Sequence, residues 1–183
     1  MSGPFYTFIG GNAGSWRIES IRPVTGDTIA SAAHLQIINE NVSTAPAGAA
    51  WLWRGFTSNQ RYTHRAEQDA LTAVQEAPGR AAATCAALIP VKKTAAWWAL
   101  TQDERRAIFE DRSAHIATGL RYLPAIARRL HHCRDLGEPF DFLTWFEFAP
   151  EHAAAFEDLV AALRVTEEWK WVEREVDVRL VRG

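Results

Sequence analysis

Cysteine is almost missing: two residues in 183, Cys85 and Cys133, with no CxxC spacing and no histidine placed to complete a metal set. Zinc-ribbon and dithiol-redox readings are excluded, and two buried free thiols are expected in preference to a disulfide. Excess charge is also missing. Twenty Lys+Arg against 22 Asp+Glu leave −2, so no basic field draws in nucleic acid or small anions, and an anion site needs its own local cation. No uncharged apolar run reaches the roughly 20 residues that span a bilayer. The opening MSGPFYTFIG lacks the basic residues and apolar run of a secretory signal, so a cytoplasmic protein is expected. There is no G-x-S-x-G and no Ser/His/Asp spacing. GGNAG precedes a strand pattern rather than a helix, so it reads as a turn and not as a phosphate cradle.

What is present is a packed-protein composition, 48% hydrophobic and 23% charged, in a chain sized for one domain or two small halves sharing a core. Tryptophan is the outlier. Eight occur, including Trp97-Trp98 and the Trp-x-Trp pairs at 51/53 and 169/171. Such a density suits an aromatic-walled cavity, a flat cofactor pocket or a subunit interface, and composition does not choose among them.

Along the chain, FYTFI and SWRIESIRPV read as two strands around a turn, and a weak strand falls near Ala30–Ile37. Trp51–Thr57 reads as a strand with Trp51, Trp53 and Gly55 on one face. The spacing of Tyr62, Ala66, Ala70 and Val74 predicts a helix over Asn59–Gln75, stopped by Pro78-Gly79. Thr84–Val91 reads as a buried strand. Thr101-x-x-Glu104 is a capping box opening a long helix towards Leu130, buried at Ile108 and Phe109 and bent or split by Pro124. Asp141–Phe148 is a strand with Phe142, Thr144, Phe146 and Phe148 on one face. Pro150 opens an amphipathic helix with Ala153, Phe156, Leu159, Val160 and Leu163 on its buried stripe. The last strand, Val172–Val181, points Val176, Val178 and Leu180 inward and Glu175, Asp177 and Arg179 outward. This order of elements predicts α+β, with two ferredoxin-like halves over residues 1–85 and 86–183.

One stretch concentrates chemistry. His115 shares a helical face with Gly119, Tyr122 and Ile126, and Gly119 leaves room for something flat to approach. Arg128 and Arg129 supply local cations. The plainer reading is a boundary histidine and a solvated basic helix end. Glu167-Glu168 reads as an acid pair that is ordinarily solvated, and neighbours such as His131-His132 point about 100° apart on a helix, which disfavours a shared metal.

Four blocks resemble the chlorite dismutase family in its short form: Arg61-Tyr62-x-x-Arg65-Ala66-Glu67; Ile89-Pro90-Val91-Lys92-Lys93 followed by Trp97-Trp98; His115 with Leu123-Pro124-Ala125-Ile126-Ala127-Arg128; and Asp141-Phe142-Leu143-Thr144-Trp145-Phe146-Glu147. The resemblance implies a dimeric α+β barrel of two ferredoxin-like halves per chain, with haem b in the C-terminal half. It implies a homodimer that turns chlorite, a small anion, into chloride and dioxygen. It implies that His115 is the iron ligand and that Glu168, or its neighbour Glu167 after a one-residue slip, bonds the other ring nitrogen. Tyr62, Lys93 and Trp97 match positions that meet the haem propionates, and Arg128 matches the distal arginine. For Trp98 the expectation is packing in a core or interface. Coproheme decarboxylases of the same superfamily carry a tyrosine where this chain has Ile89 and a glutamine in place of Arg128. That counts against decarboxylation, and it leaves a peroxidase-like haem protein or a ferredoxin-like dimer without haem as the other readings.

Overall fold

The computed structural model describes residues 5–57 and 63–183. Eight strands form one closed antiparallel barrel: β1 (Phe5–Gly11), β2 (Trp16–Thr25), β3 (His34–Ile38), β4 (Ala49–Thr57), β5 (Cys85–Lys93), β6 (Ile126–His132), β7 (Phe142–Phe148) and β8 (Val172–Arg182). The order around the barrel is β1-β3-β2-β8-β5-β7-β6-β4. It falls into two runs of the same relative order, β4-β1-β3-β2 and β8-β5-β7-β6. The runs join by a long seam, β2 against β8 from Trp16 to Thr25, and by a short one, where β4 meets β6 at Phe56↔His132 and Thr57↔His131. The expected α+β class is therefore realised as a sheet closed within one chain.

Alternating side chains fill the barrel. Phe8, Trp16, Leu35, Trp51, Trp53, Leu88, Leu143, Trp145, Val176, Val178 and Leu180 form one buried cluster. Trp51 and Trp53 stack with centroids 4.1 Å apart. A Cβ at Gly10 would lie 2.1 Å from the Trp51 ring, so only glycine lets β1 pass that pair. Four of the eight tryptophans thus belong to the barrel interior. The other sheet face of the second run carries a separate cluster, with Ala87, Ile89, Val91, Phe146 and Phe148 against Phe156, Leu159, Val160 and Leu163 of helix α5 (Ala153–Arg164). Ala153 itself is exposed. The face expected on β7 is the one observed.

Three expectations are corrected. The two N-terminal strands exist but do not form a hairpin, because β3 lies between them. The predicted long helix breaks into α3 (Gln102–Arg106), a wider π segment (Ala107–Arg112) and α4 (His115–Leu120), and its last part is strand β6. Pro124 has no N–H to continue a helix, and the backbone beyond it pairs with β7 from Ile126↔Phe148 to His132↔Phe142. Third, Glu175 and Asp177 do not face solvent. They are buried under α5, where Arg164 donates to Glu175 Oε1 at 2.7 Å and to Asp177 Oδ2 at 2.8 Å, and Arg179 also bonds Asp177. Paired charges are the usual form in which carboxylates survive burial. The helix expected over Asn59–Gln75 is described as α1 (Arg65–Val74), and its first part, with Tyr62, lies outside the described residues.

His131 points into the barrel, edge-on to Tyr6 and Phe8 at 4.9 and 5.0 Å, with Nδ1 3.1 Å from the Leu143 carbonyl. Burial pushes its pKa from 6.5 to about 4, helped by the Arg129 charge and opposed by the Leu143 bond. A depressed folded pKa means stability that is complete above about pH 6.5 and is lost as the pH falls towards 4, about 3 kcal/mol in all. His131→Asn keeps an N–H for Leu143 and titrates nothing. Urea unfolding at pH 7.5 and pH 4 is expected to show a smaller acid loss in this variant by about 3 kcal/mol, and equal losses would clear His131 of the effect.

Candidate active site

Between the outer face of β5, β6 and β7 and the helices lies a cavity. Its walls are mostly apolar, from Ile89, Val91, Phe146, Leu159 and Leu163, and its polar groups are few: Lys93, His115, Arg128, Arg164 and Glu168 among them.

His115 is set by backbone geometry. Ala114, just before it, takes φ +50°, a left-handed conformation that costs a non-glycine residue about 1 kcal/mol. The Glu110 carboxylate offsets this by accepting from the N–H groups of Ile116 at 2.6 Å and Ala117 at 3.1 Å, two of the orphan donors at the start of α4. The ring then lies against Phe109, with centroids 4.4 Å apart, and near-parallel to Trp169 at 6.3 Å.

Its Nδ1 is 2.6 Å from Glu168 Oε2, and Lys93 Nζ is 2.8 Å from Glu168 Oε1. Ser113 Oγ accepts from the Glu168 backbone N–H at 2.9 Å. Lys93 and Glu168 are both buried. Burial pushes the Glu168 carboxyl up, but the charges and hydrogen bonds of His115 and Lys93 outweigh it and hold the pKa at about 2. An ionised carboxylate only accepts, so His115 Nδ1 is the donor and Nε2 is the ring nitrogen left for another partner. The acid-pair reading resolves by position: Glu168 meets the histidine, while the more exposed Glu167 pairs with Arg112 at 3.2 Å. Lys93 also lies 4.8 Å from the Trp97 ring centroid and 5.3 Å from that of Trp169, which adds cation–π attraction to its ion pair.

Arg128 enters the cavity from β6. Its carbonyl accepts from Gln75 Nε2 at 2.8 Å, but among the described residues its guanidinium has no hydrogen-bond or ion-pair partner. Burial disfavours its charge and Glu110 partly restores it, and a guanidinium stays protonated. The other arginine of the cavity, Arg164, is neutralised by Glu175 and Asp177. The room expected beside Gly119 is taken by Arg128 itself, whose Nη1 lies 3.2 Å from where a Gly119 Cβ would be.

Trp97, on helix α2 (Ala95–Ala99), also lines the cavity, with its backbone N–H on the Thr94 hydroxyl at 3.2 Å. Among the described residues its buried indole Nε1–H has no acceptor. Trp98 is half-buried, donating to Asp141 Oδ2 at 3.0 Å and stacking on Phe142. Among the described residues no group of three His, Cys, Asp or Glu side chains is placed to hold a metal by itself.

Lys93, Trp97, His115, Arg128 and Glu168 therefore meet at one cavity, and Tyr62 lies outside the described residues. Reading the sequence missed Ser113, Glu110, Trp169 and the Arg164–Glu175 pair. Trp169 had a signal in being next to Glu168, but the others act through backbone and distant contacts that no local pattern carries.

The family model for chlorite dismutase matches residues 32–182. The dimeric chlorite dismutase of Nitrobacter winogradskyi is 61% identical, with a TM-score of 0.88 over 97% of this chain and 99% of that one. The chlorite dismutase of Candidatus Nitrospira defluvii, solved with imidazole, is 20% identical at a TM-score of 0.71, covering 100% of this chain and 92% of that one, a likeness of fold. The chlorite dismutase of Ideonella dechloratans is 35% identical over 84 residues, which is 46% of this chain and 27% of that protein.

Removing Lys93 would leave the buried Glu168 carboxylate with one partner fewer. Lys93→Met, which keeps the length of the side chain, is expected to cost about 3 kcal/mol in urea unfolding. A loss below about 1 kcal/mol would mean that the pair is not held as described.

Proposed function

We propose, from the premise that the chain belongs to the chlorite dismutase family, that it converts chlorite to chloride and dioxygen at a haem b held by His115. One observation carries the reading. A single cavity contains an imidazole whose Nδ1 is committed to an ionised carboxylate and, apart from it, an arginine with no carboxylate partner among the described residues.

The residues present suit a haem. The walls are apolar and aromatic, His115 has Nε2 left to offer a metal, and the Trp97 indole N–H, without an acceptor among the described residues, is a donor that a propionate would satisfy. Bound there, haem supplies a redox-active iron for oxygen-atom transfer and O–O bond formation. The atoms balance without a co-reactant, since ClO2⁻ contains both products.

Each residue then has a definable part. Glu168 accepts from His115 Nδ1–H, which fixes the ring tautomer and makes Nε2 a stronger donor to a metal. Lys93, matched by resemblance to a propionate, instead spends its ammonium on Glu168, where it keeps that carboxylate from taking the histidine's proton. Trp97 and Tyr62 remain the proposed propionate partners. Arg128 cannot act as a base. Its uncompensated charge in a cavity of low polarity would attract chlorite and keep a small anion from leaving the cavity. Ile89, in the wall, offers no phenol for the decarboxylase chemistry of the wider superfamily. The proposal extends to two ferredoxin-like halves, the first without crossover helices, and to a homodimer like the Nitrobacter relative.

Oxygen-electrode recording on haem-loaded protein tests the reading. Chlorite is expected to give rapid, stoichiometric dioxygen, and chlorate none. Haem binding without oxygen would shift the function to peroxidase-like chemistry, and absence of a Soret band would favour a binding protein without haem. His115→Ala is expected to lose or loosen the haem, seen as a lower Soret-to-protein ratio. Arg128→Ala is expected to keep haem while oxygen-yielding turnover drops about tenfold or more, equivalent to about 1.4 kcal/mol or more. Wild-type turnover in that variant would remove Arg128 from the mechanism.

A further inference from the structure

Gly119 is the penultimate residue of α4, and apart from proline glycine is the poorest helix former. No left-handed backbone requires it, since Gly119 is not among the glycines of positive φ. The space beside it explains it: a Cβ there would come 3.2 Å from Arg128 Nη1, 3.5 Å from Cζ and 3.8 Å from Nη2, and no other atoms come nearer. The guanidinium therefore lies against the bare backbone of α4, and the missing side chain forms its seat.

This differs from how the chain holds other arginines. Arg54, Arg106, Arg164 and Arg179 are each fixed by a carboxylate. An ion pair fixes a guanidinium but cancels its charge. Glu110, the acid whose field reaches Arg128, is committed to the N–H groups of Ile116 and Ala117. Steric seating fixes the group and leaves the charge available.

We propose that Gly119 is a positioning residue whose lack of a side chain seats the Arg128 guanidinium in the cavity without a counter-charge, so that anion affinity depends on Gly119 through Arg128. The inference rests on the reading of Arg128 as the anion-holding group. Gly119→Ala should favour the helix while displacing the guanidinium by a few tenths of an ångström, and Gly119→Val should displace it further.

The test is fluoride binding to haem-loaded protein, followed optically, in wild type, Gly119→Ala, Gly119→Val, Arg128→Ala and the double variant Gly119→Ala/Arg128→Ala, with thermal midpoints alongside. Expected is a Kd weakened about threefold or more by Gly119→Ala and further by Gly119→Val, an unchanged Soret-to-protein ratio, and a thermal midpoint for Gly119→Ala that is level or raised. In the Arg128→Ala background, Gly119→Ala should have no further effect on Kd, because a double-mutant cycle isolates the coupling. Wild-type fluoride affinity in both Gly119 variants, or an equal loss with Arg128 already removed, would overturn the seat while leaving the reading of Arg128 intact. If Arg128→Ala alone leaves fluoride affinity unchanged, the reading of Arg128 falls and the seat falls with it.

Discussion

The buried Glu168 carboxylate is the constraint around which the rest of the site is built. A carboxylate out of water is costly unless several donors meet it. Here those donors come from two separated parts of the chain, Lys93 at the end of β5 and His115 at the start of α4, while the Glu168 backbone N–H donates to Ser113 Oγ and anchors the turn that carries the carboxylate. Satisfying one anion thus fixes the end of a strand, the origin of a helix and the turn before β8. It also decides which imidazole nitrogen carries the proton. The unusual backbone at Ala114 and the Glu110 cap are the local means by which the chain delivers His115 to that carboxylate.

Charge is handled differently on the two sides of the cavity. Beneath α5, Glu175 and Asp177 are matched by Arg164 and Arg179, and Trp169 Nε1 donates to Glu175 at 2.7 Å. On the side of His115, Lys93 balances Glu168. What remains uncancelled among the described residues is the guanidinium of Arg128. The overall charge of −2 therefore says little about the site. Its field is set by which pairs close internally, and the proposed chemistry uses the one cation of the wall left over.

Much of this was readable from the residues. Strands with one apolar face, such as Trp51–Thr57 and Phe142–Phe148, show their period because one side packs the barrel or the helix layer. Strand β6 hid itself for a physical reason. One face carries Ile126, Arg128 and Leu130 towards the helix layer, and the other carries Ala127, Arg129 and His131 towards the barrel, so neither is uniformly apolar and no alternation appears. Helical spacing then looks acceptable, so a helical run bent or split at Pro124 is expected to continue towards Leu130, where the chain is strand. β8 misled in the opposite way: Glu175, Asp177 and Arg179 look like a solvated face until α5 is placed over them. The motif blocks named His115, Lys93, Trp97 and Arg128 together with Tyr62, the resemblance they carry added Glu168 or its neighbour Glu167, and the structure brings Lys93, Trp97, His115, Arg128 and Glu168 to one cavity. The exact partner of Lys93 and the occupant of the space beside Gly119 needed coordinates, since both depend on contacts between segments remote in sequence.

The short seam between β4 and β6 bears on Arg128 as well. Because β4 reaches only His131 and His132, the stretch of β6 that carries Arg128 has strand pairing on its β7 side alone among the described residues. The open side is stitched by two side chains instead: Gln75 donates to the Arg128 carbonyl, and Arg80 donates to that of Ala125 at 2.9 Å. Helix α1 and the loop after it therefore act as a surrogate ninth strand. The ladder beside the cavity cation is written in side chains rather than in backbone, so it can be edited one residue at a time without unpicking the barrel.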